Sequence, residues 1–202
     1  MDWPKFISIG KDLIIAGAAI TGSIVAAKGL STWRRQLKGQ AEYELSKRIL
    51  KLTFQYRDTV CGVRNPVMWS YEMPQPPQAE EMDRDQLKYY GTSKAYEVRC
   101  DRVTDVRQTR YPELLEAEAL WGIELEKLFE TLFNLQNILF TNIGYHLSLL
   151  DPNTPKTHKA SINKLIKEDV IFDTLHEEDN FRKEFSLGVK AIEQFLKPHL
   201  KY

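Results

Sequence analysis

Apolar residues return at helical intervals along most of the chain, and the first apolar run carries no charge at all. From Leu13 to Ala27 the sequence reads LIIAGAAITGSIVAA. At about 1.5 Å of rise per residue, this run covers about 22 Å, short of a hydrocarbon core roughly 30 Å thick. Phe6, Ile7 and Ile9 extend it backward past Lys11 and Asp12, and Leu30 extends it forward. Trp3 and Trp33 bracket the run where an aromatic belt would lie. The pattern predicts one transmembrane helix over residues 6–30, borderline in length. Ala18, Gly22 and Ala26, four apart, give it a small-residue face on which two membrane helices can pack closely.

A second stripe follows at steps of three and four: Trp33, Leu37, Ala41, Leu45, Ile49, Leu52, Tyr56, Val60, Val63. It predicts a long amphipathic helix over residues 33–63, with cysteine 61 as a small buried hydrophobe. Asn65-Pro66 ends it. Residues 65–86 hold four of the prolines and read as a long loop, in which Met68, Trp69, Tyr71 and Met73 either pin the loop to the bundle or meet a partner or the membrane. Residues 87–111 read as a polar helix. Tyr89, Tyr96, Cys100 and Val103 lie on its apolar side, and Arg99, Arg102, Arg107 and Arg110 among the charges crowding the rest.

The strongest periodicity runs from Tyr111 to Leu150: Leu114, Glu118, Trp121, Leu125, Leu128, Leu132, Leu135, Leu139, Asn142, His146, Leu149. This is a near-continuous heptad seam, and a second row (Phe129, Phe133, Phe140, Ile143, Leu147, Leu150) lies beside it. Two seams predict a central helix with neighbours on both sides. Asn142 and His146 are the polar pair in the seam and read as setting its register. A short helix over residues 160–172 and a final one over 177–202 follow. The stripe of the last helix is Phe181, Phe185, Leu187 or Gly188, Ile192, Phe195, Leu196 and Leu200. No strand alternation appears. The predicted architecture is all-α: a membrane anchor over residues 1–30, then an elongated cytoplasmic bundle of four to five helices over 31–202.

Charge sharpens this picture. The net charge is zero, from 28 basic and 28 acidic residues. Yet residues 28–64 carry nine bases against three acids, and residues 65–150 carry eight against fourteen, so a +6 block precedes a −6 block. Lys28, Arg34, Arg35 and Lys38 stand directly after the apolar run. By the positive-inside rule they stay in the cytoplasm and contact lipid headgroups, with the N-terminus outside a bacterial inner membrane. Two other readings of the first segment stay open. One is a signal peptide cleaved after Val25-Ala26-Ala27, and the other is a buried helix of a soluble domain. The acids Glu113, Glu116, Glu124, Glu126 and Glu130 are expected to face the basic helix.

Little chemistry is visible. Two cysteines exclude a disulfide scaffold and a thiolate zinc cluster, and no nucleotide-binding, nucleophile-elbow or metalloprotease motif is present. Asp173 and His176 share a helical face, but their setting among acids reads as a helix start rather than a metal site. No catalytic residue, cofactor or metal is expected. At Thr32–Lys51, TWRRQLKGQAEYELSKRILK, and Arg57–Met68, RDTVCGVRNPVM, the chain resembles a group of uncharacterised bacterial proteins. These share a WRRQLKG-type stretch, an RNP turn and a KPHL-like tail, here Lys197 to Leu200. The resemblance implies bacterial origin and membrane anchoring, and supplies no catalytic residues. The expected function is a membrane-anchored structural, interaction or effector component. It associates with lipids, with copies of itself as a homo-oligomer, and with an unidentified protein partner. The alternatives are a tethered helical enzyme or metal protein and, with least support, a nucleic-acid binder.

Overall fold

The computed structural model describes residues 3–174 and 179–200, with side chains from Gly17 onward. The described residues are all-α, in seven helices: α1 (Trp3–Val63), α2 (Arg84–Thr109), α3 (Tyr111–Trp121), α4 (Glu124–Leu150), α5 (Lys156–Ile162), α6 (Glu168–Ile171) and α7 (Asn180–Leu196). The chain divides into two compact units, Met1–Glu44 and Leu45–Lys201.

In the first unit every side chain from Gly17 to Lys38 is exposed, including Ile20, Ile24, Val25 and Leu30. Among the described residues no helix is long and apolar enough to cross a membrane. Residues 6–16 of the expected span, and Trp3 before them, have side chains outside the described residues. Three hydroxyls in this unit turn back onto their own helix. Thr21 donates to the Gly17 carbonyl, Ser23 to Ala19 and Ser31 to Lys28, each at 2.8 Å.

The second unit holds the hydrophobic core. The stripe on α1 is covered from Leu45 onward, where Leu45, Ile49, Tyr56, Val60 and Val63 are buried. Trp33, Leu37 and Ala41 of the same stripe are exposed. Cys61 is also exposed, contrary to expectation, because it sits off the buried side marked by Val60 and Val63. Cys100 on α2 is half-buried. Asp83 starts α2 by accepting from the Gln86 N–H, while the Gln86 side chain accepts from the Asp83 N–H, so two N-terminal donors are satisfied reciprocally.

The expected helix over residues 111–150 is in fact two. Gly122 adopts φ +78°, a conformation disfavoured for side-chain-bearing residues, and breaks the seam between α3 and α4. The expected short helix over 160–172 likewise splits into α5 and α6, so the helices exceed the four to five predicted. The central role assigned to the seam survives, since α4 packs against α7, α2, α3, α6 and α5. The last helix buries Phe181, Phe185, Gly188, Val189, Ile192 and Leu196, which resolves the Leu187-or-Gly188 alternative in favour of glycine; Leu187 is exposed.

Candidate functional site

Two kinds of surface emerge: an exposed stretch of α1 over residues 17–38, and a Pro-rich loop clamped against α2. On this stretch of α1, Lys28, Arg34, Arg35 and Lys38 all project from the helix, and Lys38 lies 3.7 Å from Glu42 one turn on. Ala18, Gly22 and Ala26 are likewise exposed, with nothing within 4 Å of a Cβ placed on Gly22.

The loop over residues 65–86 is held by one arginine. Arg99 donates from Nε and Nη2 to the two carboxylate oxygens of Glu72, both at 2.8 Å. Its Nη1 donates to the Asn65 carbonyl and its Nη2 also to the Val67 carbonyl, both at 2.7 Å. Glu72 further accepts from the Trp69 N–H at 3.0 Å. The fork matches the carboxylate plane, a geometry lysine cannot reproduce. The Arg99 guanidinium holds the Glu72 carboxyl at about 2, below its ordinary 4.5. The four loop residues singled out from sequence therefore separate. Met68 packs on the core, and the Met73 Cβ lies 3.1 Å from where a Cβ on Gly91 would sit. Trp69 and Tyr71 are exposed at the rim of a shallow cavity of about 350 Å³ that also touches Arg99 and Arg102.

The lowered Glu72 value fixes a pH direction. An unfolded Glu72 takes up its proton near 4.5 and the folded one only near 2. The clamp's contribution is thus complete above about pH 4.5 and is lost as pH falls from there toward 2. At neutral pH, Glu72→Gln should mimic the acid state. A hydrogen bond to a charged group contributes about 1.5–3 kcal/mol, so chymotryptic cleavage at Trp69 or Tyr71 should accelerate about 10–100-fold. Unchanged cleavage would show that other contacts hold the loop.

Asn142 and His146 serve connections within the core. Asn142 donates to the Ile138 carbonyl and accepts from the Lys167 N–H at 2.7 Å, tying the segment before α6 to α4. His146 is half-buried, edge-on to Tyr96 and Phe172, and burial lowers its pKa.

Sequence reasoning missed three buried arginines, Arg64, Arg99 and Arg110. It also missed a cleft of about 670 Å³ between α3 and α4, reached by Arg107 at the end of α2. The acids divide accordingly. Glu113 and Glu116 pair with Arg48 of α1 at 3.0 and 2.7 Å, as expected, whereas Glu126 and Glu130 line the cleft. Among the described residues no group of three or more His, Cys, Asp or Glu is placed to hold a metal ion, and His176 lies outside them. Comparison with protein-family models, with curated proteins and with solved structures returns no match.

Proposed function

We propose that the chain is a single-span, membrane-anchored interaction component. Residues 6–30 cross a bacterial inner membrane with the N-terminus outside, and the Leu45–Lys201 unit works without catalysis on the cytoplasmic side. The observation that carries this reading is the uncovered stretch of α1. Ile20, Ile24, Val25 and Leu30 are exposed together, continuing an uncharged run that begins at Leu13. Thr21 and Ser23 satisfy their hydroxyls on their own helix, as a lipid-facing helix requires. Lys28, Arg34, Arg35 and Lys38 close the stretch, and each basic group near an anionic leaflet contributes about 1 kcal/mol. Self-association along Ala18, Gly22 and Ala26 belongs to the same reading.

Alkaline carbonate washing of membranes tests the anchor: the full chain stays in the pellet if the reading holds, and release into the supernatant overturns it. The exposed thiol of Cys61 tests the orientation. A membrane-impermeant maleimide should label it only after permeabilisation, and labelling in intact cells would reverse the assignment.

A further inference from the structure

The cleft between α3 and α4 holds about 670 Å³, and its chemistry is specific. Its apolar lip is Tyr111 and Leu115, one turn apart on α3 and 63% and 49% exposed, with Leu114 and Phe133 behind them. Glu118, Glu126 and Glu130 line it, and none of the three forms an ion pair within the described residues. Among the described residues that line the cleft the one cation is Arg107, which lies over the Phe133 ring at 4.1 Å. An apolar lip beside three unpaired carboxylates matches a helix that presents an apolar pair beside cations.

That helix is present in the chain. Trp33 and Leu37 are one turn apart on α1 and 59% and 49% exposed. At about 100° per residue, Arg34 and Lys38 lie together to one side of this pair, about 100° around the helix from it, while Lys28 and Arg35 fall on the opposite side and remain for the lipid headgroups when the first two are taken up by the cleft. Arg34 makes no ion pair among the described residues, and Lys38 has only the 3.7 Å contact with Glu42. We propose that the cleft receives the Trp33–Lys38 segment of a second copy of this chain. The indole and the leucyl side chain fill the space over Tyr111 and Leu115, and Arg34 and Lys38 meet Glu126 and Glu130. The charge blocks of +6 and −6 that cancel within one chain are then complementary between two. The interface deepens the self-association reading and does not depend on the anchor.

The test uses two differently tagged full-length chains in a Cys61→Ser, Cys100→Ser background. One carries Leu37→Cys and the other Leu115→Cys; both positions are exposed, and melting curves verify folding. Mild oxidation should give a disulfide-linked heterodimer. Glu126→Lys with Glu130→Lys should cut its yield at least ten-fold, and adding Arg34→Glu with Lys38→Glu on the other chain should restore it. Light scattering in detergent separates the failures. A dimer without the crosslink overturns this interface and leaves self-association standing, whereas a monomer overturns both. A crosslink indifferent to the charge exchange overturns the assigned pairing.

Discussion

Replacing Arg64 by methionine should destabilise the packed unit by about 3–5 kcal/mol and lower its Tm by about 6–20 °C, followed by near-ultraviolet circular dichroism of the full chain. Arg64 and Asp179 are 3% and 1% exposed and meet at 2.8 Å. The same guanidinium donates to the carbonyls of Val170, Asp169 and Phe172 at 2.8, 2.8 and 3.0 Å, and lies 4.5 Å over the Phe181 ring. Methionine fills a similar volume but strands a buried carboxylate and takes the donor from three carbonyls. Asp179 also accepts from the Arg182 N–H at the start of α7, so the stranded charge sits where that helix is capped. Lysine should not rescue, because one ammonium cannot reach four acceptors spread around a planar fork.

Arg110→Met should behave in the opposite way, leaving the Tm unchanged or raising it. Arg110 is fully buried, and its guanidinium nitrogens have no hydrogen-bond partner among the described residues. Its charge faces the rings of Phe129, Tyr56 and Phe133 at 4.4, 4.5 and 4.9 Å, and burial lowers its pKa to about 10. Cation–π attraction returns about 2 kcal/mol for a desolvated site, less than the several kcal/mol that burying an ion costs. A long apolar side chain strands no partner there. Equal losses for the two arginine substitutions would refute the distinction.

The contrast explains what the sequence could and could not show. Periodicity found the face of α1 that is covered from Leu45 to Val63, the central position of α4 and the buried side of α7, because side chains three and four apart share a helix face; it also ran on through Trp33, Leu37 and Ala41, which are exposed. The same periodicity ran through Gly122 without interruption, since a heptad count registers residue type and not the backbone angle that breaks the helix there. Arg99 counted among the charges crowding a polar helix, yet it finds its carboxylate 27 residues away, and Arg64, given no role by the pattern, finds its own 115 residues away. Nothing local encodes such a pairing. The loop aromatics and methionines were visible as a group, but which of them turn outward depends on the Glu72–Arg99 fork, a tertiary contact.

Gly188→Ala should destabilise the packed unit even though alanine is the better helix former. A Cβ at this position would stand 2.6 Å from Leu132 Cδ2 and 3.3 Å from its Cγ. Leu132 is fully buried on α4, so it has no solvent to swing into. The helix-propensity gain is about 1 kcal/mol, while overpacking a filled core costs about 1–3 kcal/mol, so the net change is a loss that grows with side-chain size. Gly188→Leu should therefore prevent α7 from seating against α4. The decisive measurement is a double-mutant cycle by urea unfolding. Leu132→Ala alone should cost about 2–5 kcal/mol for the cavity it opens. Combined with Gly188→Ala, the new methyl occupies part of that cavity, so the pair should cost less than the sum of the singles by about 0.5–3 kcal/mol. Strict additivity would mean that something other than the Leu132 side chain sets the distance between the two helices. A favourable coupling would make this glycine a matter of room rather than of backbone freedom, since it lies within regular helix and needs no positive φ.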